Sequence, residues 1–172
     1  MKSNANPAAR SRTFPLPVLL LLVLPLACAS EPPPKPASPD SLTIQEVLRV
    51  PGFTADELFE GAKVWVANGF SSSLDVIRYA NRQEKTVLGQ AKIPHARPGK
   101  FGTAERMDLR FTIMVETRDD RLRYTFADLA LVTAYGSEII LEPDMETIRP
   151  RLDAAVEALA ASFRRTEEAE AW

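Results

Sequence analysis

Between Met107 and Phe126 the chain alternates. Met107, Leu109, Phe111, Ile113 and Val115 occupy every second position with polar residues between them except at Met114, and Leu122, Tyr124 and Phe126 resume the pattern after Asp119-Asp120. A period of two puts all of these side chains on one face of a pleated strand, so the stretch predicts an antiparallel hairpin turning at the two aspartates. With those residues as the loop, Val115 faces Tyr124, Ile113 faces Phe126 and, on the opposite side, Glu116 faces Arg123. Apolar then meets apolar in a single register. Beyond Phe126 the phase slips, because Leu129 and Leu131 are odd-numbered and Asp128 would point inward. A bulge near Ala127 or Asp128 would restore it.

The flanking segments follow the same logic. Ser41 to Val50 sets Leu42, Ile44, Leu48 and Val50 on one face, interrupted by Glu46, and ends at Pro51-Gly52, as a strand would. Thr54 with Glu57 three residues later forms a capping box, and Phe53 is placed to staple onto Leu58. Leu58, Ala62, Trp65 and Val66 continue at helical spacing and Gly69 supplies a stop. Trp65 on this stripe reads as core. Asp75 to Ala80 and Thr86 to Ile93 flank a polar turn and predict a first hairpin. Pro94 to Ala104 (PHARPGKFGTA) reads as a long basic loop before the second. Ile148, Leu152, Val156, Leu159 and Phe163 recur at steps of four, four, three and four, a closing helix with Pro150 in its first turn and a frayed tail over 166–172. Two one-sided helices and a one-sided antiparallel sheet, in the order β-α-β-β-β-β-α, pack most economically as an α+β two-layer sandwich with both helices on one face. The core expected from this reading is Leu58, Trp65, Phe111, Tyr124, Phe126, Leu152 and Phe163.

The first forty residues do not share these patterns. Lys2, Arg10 and Arg12 precede an apolar run of 14 residues, Phe14 to Ala27, too short to span a bilayer and interrupted by three prolines. That is a secretory signal over residues 1–27. Cys28, the sole cysteine, stands at its foot. Two cuts are compatible with the residues. Leu26-Ala27-Cys28 resembles the end of a bacterial lipobox, whose cysteine is acylated, although Pro25 stands where an aliphatic residue is usual. Ala27-Cys28-Ala29 also reads as an ordinary small-x-small site, which would release a soluble periplasmic domain. Residues 28–40 hold five prolines in the stretch Ala29 to Asp40, a tether favouring polyproline II and reaching roughly 35 Å. A lone cysteine followed by a tether suits lipidation better than chance, and 41–165 remains as one domain. Once 1–27 is gone, 18 Lys and Arg face 23 Asp and Glu. Such an acidic balance argues against nucleic acid as a partner.

One long stretch resembles a known family. "VPGFTADELFEGAKVWVANGFSSSLDVIRY", Val50 to Tyr79, is similar to the opening of an uncharacterised bacterial lipoprotein domain with a TBP-like fold, domain of unknown function 4468. The shared features are Val50-Pro51-Gly52, Glu57-Leu58, Ala62-Lys63 with Trp65, Phe70, Ser72-Ser73 and Val76-Ile77 with Tyr79. Arg121 to Leu129 resembles a later segment, and the likeness covers about residues 42 to 135. It implies a curved antiparallel sheet with helices on one face, exported behind a lipobox, and it implies no activity. Ala29 after Cys28 lacks the aspartate associated with inner-membrane retention, so the resemblance favours the outer membrane.

Candidate chemistry is sparse. One histidine and one cysteine cannot furnish a usual zinc set, so neither metal nor cofactor is expected. No phosphate loop or dinucleotide fingerprint is present. A hydrolase-type enzyme would have to use His95, by default a solvated loop residue, or the carboxylates Glu57 and Glu60. The stronger candidate is a binding patch: Lys92, His95, Arg97, Lys100 and Arg106, with Phe101, reverse the sign of an otherwise acidic domain. An anionic partner such as a lipid headgroup, a polysaccharide or an acidic envelope protein would suit it. The sequence therefore favours a lipid-anchored, non-catalytic envelope module facing the periplasm.

Overall fold

The computed structural model describes residues 33–70, 77–99 and 103–170, with the side chains of 165–170 outside that set. The signal, Cys28, Ser72-Ser73, Asp75-Val76, Lys100 and Phe101 lie outside the described residues. The elements are β1 (Ile44–Arg49), α1 (Ala55–Asn68), β2 (Ile77–Asn81), β3 (Thr86–Pro98), β4 (Ala104–Arg118), β5 (Arg121–Thr133), β6 (Gly136–Glu138) and α2 (Glu142–Glu170). One antiparallel sheet runs β1-β5-β4-β3-β2, and β6 pairs with β5 beyond the end of β1. The expected α+β order holds, with a short sixth strand added.

The central hairpin has the register its alternation requires: Ile113 opposite Phe126, Val115 opposite Tyr124, Glu116 opposite Arg123. The slip is absorbed where expected. Arg110 pairs with Ala130 but Thr112 with Ala127, and Asp128 takes φ +53° and points to solvent. One extra residue on β5 thus keeps Leu129 and Leu131 in the core.

The α1 capping box is complete. The Glu57 N–H donates to Thr54 Oγ1 at 3.3 Å and the Thr54 N–H donates to Glu57 Oε2 at 2.7 Å. Gly69 does end the helix, for want of space rather than through a left-handed turn. Its φ is −76°, and a Cβ there would lie 2.7 Å from the Trp65 carbonyl oxygen. The Asp119-Asp120 turn is fastened to the loop entering α1. Asp120 Oδ1 accepts from the Gly52 N–H and Asp119 Oδ1 from the Ala55 N–H, each at 2.8 Å, and the Val50 N–H donates to the Asp120 carbonyl. Pro51-Gly52 is therefore held by the hairpin tip.

Both helices cover the same sheet face. A methyl at Gly61 of α1 would overlap the Phe163 ring of α2, so the two approach closely there. Leu58, Trp65, Phe111, Tyr124, Phe126, Leu152 and Phe163 are all buried in a single core cluster, as expected. Edge-to-face contacts link Trp65, Phe70, Phe111, Phe126 and Tyr124 at 5.3 to 5.7 Å between centroids, each adding about 0.5–1.5 kcal/mol to the burial itself.

Three expectations need correction. Pro94 to Pro98 is strand, not loop: each residue pairs with β4, from Pro94 opposite Asp108 to Pro98 opposite Ala104. Proline is tolerated because β2 pairs with β3 only as far as Gly89, leaving the other edge of this stretch free. Pro150 lies inside α2, which begins at Glu142. Its missing N–H leaves the Glu146 carbonyl unmatched on an exposed side of the helix, where water can serve it. The backbone of α2 also stays helical to Glu170, into the segment read as a tail. Ordered contacts reach back to Lys35, whose carbonyl accepts from the Glu142 N–H, while the Ala37 N–H donates to the Ile140 carbonyl.

Candidate functional site

A strand through Pro94–Pro98 sends alternate residues to opposite faces, so the expected basic patch is divided by phase, although Lys92, His95 and Arg106 still line one open depression together with Arg151. Lys92 and Arg106 lie on the open face, whereas His95 and Arg97 turn inward beneath the start of α2. His95 is no solvated loop residue; it is buried. Arg97 reaches Asp144 with both arms, Nε to Oδ1 at 3.0 Å and Nη2 to Oδ2 at 2.6 Å, and Nη2 also donates to the Ile139 carbonyl. The Leu141 N–H donates to Asp144 Oδ2 at 2.8 Å. His95 Nε2 is 3.5 Å from Asp144 Oδ1, too poorly aligned for a hydrogen bond, and it has no hydrogen-bond partner. Burial would raise the Asp144 carboxyl, but Arg97 and the Leu141 N–H outweigh it and hold the group below the ordinary carboxylate value. This cluster fastens β3 to α2.

The open face of the sheet is a different environment. On it Arg49, Lys92, Arg106, Arg110, Arg118, Arg121 and Arg123 point outward, as do Asp108, Glu116 and the bulge residue Asp128. Lys92 pairs with Asp108 at 3.0 Å, and Arg123 grips Glu116 with two nitrogens at 2.7 and 2.8 Å. The middle of the face is neutral: Gln45, Thr125, Met114 and Leu88 lie side by side across four strands. At the hairpin end three arginines form one row, since Arg49 is the cross-strand partner of Arg121 and Arg121 that of Arg118. All three are exposed and none has a hydrogen bond or ion pair from its side chain to another described residue. Asp119 and Asp120, the acids nearest in sequence, are committed to backbone N–H groups instead. Beside the row is a depression of about 220 Å³ lined by Val47, Glu116, Arg118, Arg121, Leu122 and Arg123.

Sequence reasoning missed this row. The Arg118–Arg121 pairing follows from the hairpin register that the alternation fixes, but Arg49 joins only through β1–β5 pairing across 72 residues, which no local pattern announces. Planar guanidinium forks side by side suit an oxyanion, which they can grip with paired N–H bonds. Among the described residues no group of three or more His, Cys, Asp or Glu is placed to hold a metal ion, and no helix is long and apolar enough to cross a membrane.

The order of strands and helices, with the V-P-G turn bolted to the hairpin tip, now stands beside the sequence likeness. The profile of the domain of unknown function DUF4468 with TBP-like fold matches residues 45–131, half of the chain. The chain belongs to this family. The match runs from β1 into β5, so the arginine row lies within the DUF4468 region and α2 outside it. Two solved structures share the fold. A DUF4468 family protein from Bacteroides ovatus is 10% identical, with a TM-score of 0.54 over 74% of this chain and 90% of that one. A TBP-like protein from Parabacteroides distasonis is 10% identical, with a TM-score of 0.53 over 69% and 92%. At that identity the likeness is one of fold. No curated protein matches the chain.

Proposed function

We propose that this DUF4468 protein is a lipid-anchored module of the bacterial envelope that binds without catalysing, and that it presents the open sheet face to an anionic partner. The observation that carries the binding reading is the sign of that face: along its strands cationic side chains outnumber acidic ones, on a chain with more acids than bases. The anchor rests on the apolar signal, the lone Cys28 and the proline tether.

The environments of the three residues that a hydrolase-type enzyme would have used support the non-catalytic reading. His95 is buried against a carboxylate that Arg97 already occupies. A hydrogen bond from Thr54 holds the Glu57 carboxyl below its ordinary value, and one from Lys63 does the same for Glu60. A general acid at neutral pH needs its pKa moved the other way.

Two measurements test the proposal. The mature protein from its host is expected to keep Cys28 in acylated form and to sediment with membranes, while Cys28→Ser leaves it soluble; a mature chain beginning at Ser30 would refute the anchor. Charge reversal at Arg106, Arg110, Arg118 and Arg121 together is expected to lower the salt needed for elution from a phosphocellulose matrix. Unchanged elution would refute the binding face.

A further inference from the structure

The three-arginine row carries more than the general sign of the face. Directly opposed cross-strand residues stand about 4.5–5.5 Å apart at Cβ, and like charges there destabilise a sheet. Here Arg49, Arg121 and Arg118 are opposed twice over. No neighbouring acid bonds to the row: Asp119 and Asp120 each turn one carboxylate oxygen to the loop before α1, and Glu116 is held by Arg123. A surface that merely needed solubility would meet these cations with acids, as Lys92 is met by Asp108.

We propose that the row is a binding site for a phosphate monoester or diphosphate group, the counter-charge that the fold itself does not supply. This rests on the reading of the open face as a binding surface and names its ligand chemistry. A carboxylate offers two oxygens and one charge, enough for one guanidinium fork. Three forks call for a group with more oxygens and about two charges, and a phosphate monoester has both. The depression beside Arg118 and Arg121 is open to solvent on a sheet face, so the phosphate can be carried on a lipid headgroup or on a soluble molecule.

The test uses the full chain in neutral detergent, titrated with pyrophosphate and followed by calorimetry. Saturable binding is expected, weakened about tenfold by Arg121→Gln and about a hundredfold by Arg118→Gln with Arg121→Gln. Lys63→Gln on the helical layer removes the same charge and is expected to bind as wild type. Thermal unfolding of the double variant at an unchanged or higher temperature shows that lost binding is not lost folding. Phosphatidylcholine vesicles doped with phosphatidic acid separate the sources: recruitment that the row variants lose indicates a headgroup, and pyrophosphate binding without recruitment indicates a soluble phosphate. No saturable binding to either probe, or binding indifferent to the row, overturns the inference. If phosphocellulose elution still depends on the open face in that case, only this site falls; if it does not, the open-face reading falls with it.

Discussion

Arg97 in β3 and Arg121 in β5 project from opposite faces of the same sheet. Arg97 meets a buried aspartate with both arms, and that aspartate also receives the N–H at the start of α2 and faces His95. Arg121 meets two other arginines and water. Inside, charge is admitted only with its partner, because an unpaired ion in a poor solvent costs several kcal/mol. Outside, water carries the cost and charges can be left unmatched at a small penalty. The two-armed pairing of Arg97 with Asp144 under α2 thus reads as architecture, and missing pairing at the hairpin end reads as provision for something else.

The sharpest way to break this contrast is to remove the buried partner. Asp144→Ala leaves Arg97 and the Leu141 N–H without their acceptor and is expected to cost about 3–5 kcal/mol in urea unfolding. Replacing the pair with Arg97→Met and Asp144→Leu should recover most of it. A loss under about 1 kcal/mol for Asp144→Ala would mean that the cluster is not a fastening. The same bond predicts a pH limit. The folded Asp144 carboxyl lies below its ordinary value, so its contribution is complete above the usual carboxylate range and disappears as pH falls through the folded value.

A second probe of the inner layer is alkaline. Burial, then the hydrogen bond to Glu46 at 3.1 Å, pushes the Tyr124 hydroxyl up to about 12. The folded state therefore favours the neutral phenol. That stability is intact below about pH 10 and is lost as pH rises from 10 through 12, about 2 kcal/mol in all. Tyr124→Phe should be less stable at neutral pH and should lose this alkaline dependence.

Which parts of this were legible beforehand depends on the reach of the signal. The α1 cap, the hairpin register and the bulge at Asp128 each rest on residues a few positions apart, and alternation or capping chemistry states them directly. Pro94 to Pro98 misled because two prolines and two bases read locally as loop; only the free edge beyond Gly89 makes them strand. Pro150 misled in the same way, since it is tolerated by an exposed helix side rather than by a first turn. The candidate site was half visible. Arg118 and Arg121 face each other through the local turn, whereas Arg49 arrives by long-range pairing.

Between the two regions stands the Asp119-Asp120 turn, which belongs to the architecture and yet sits beside the row. Asp119→Ala removes the acceptor of the Ala55 N–H at the start of α1 and should cost about 1 kcal/mol, the usual worth of such a cap. Chemical denaturation measures it. A larger loss would show that the aspartate also neutralises Arg118, and the row would then be less bare than its hydrogen bonds imply.

The smallest expected effect has the opposite sign, and for that reason it discriminates best. If Arg121 has no counter-charge in the free protein, Arg121→Gln relieves two opposed like-charge contacts and should stabilise the fold by a few tenths of a kcal/mol at low salt. The gain should vanish in molar salt, where the Debye length falls to about 3 Å. Arg123→Gln, one strand position pair away, breaks the grip on Glu116 and should move stability the other way. A structural arginine and a ligand-binding one are thereby told apart without knowing the ligand: the first weakens the fold when neutralised, and the second strengthens it while losing the phosphate. Were Arg121→Gln to weaken the fold, the row would have a partner inside the protein and no vacancy to offer an anion.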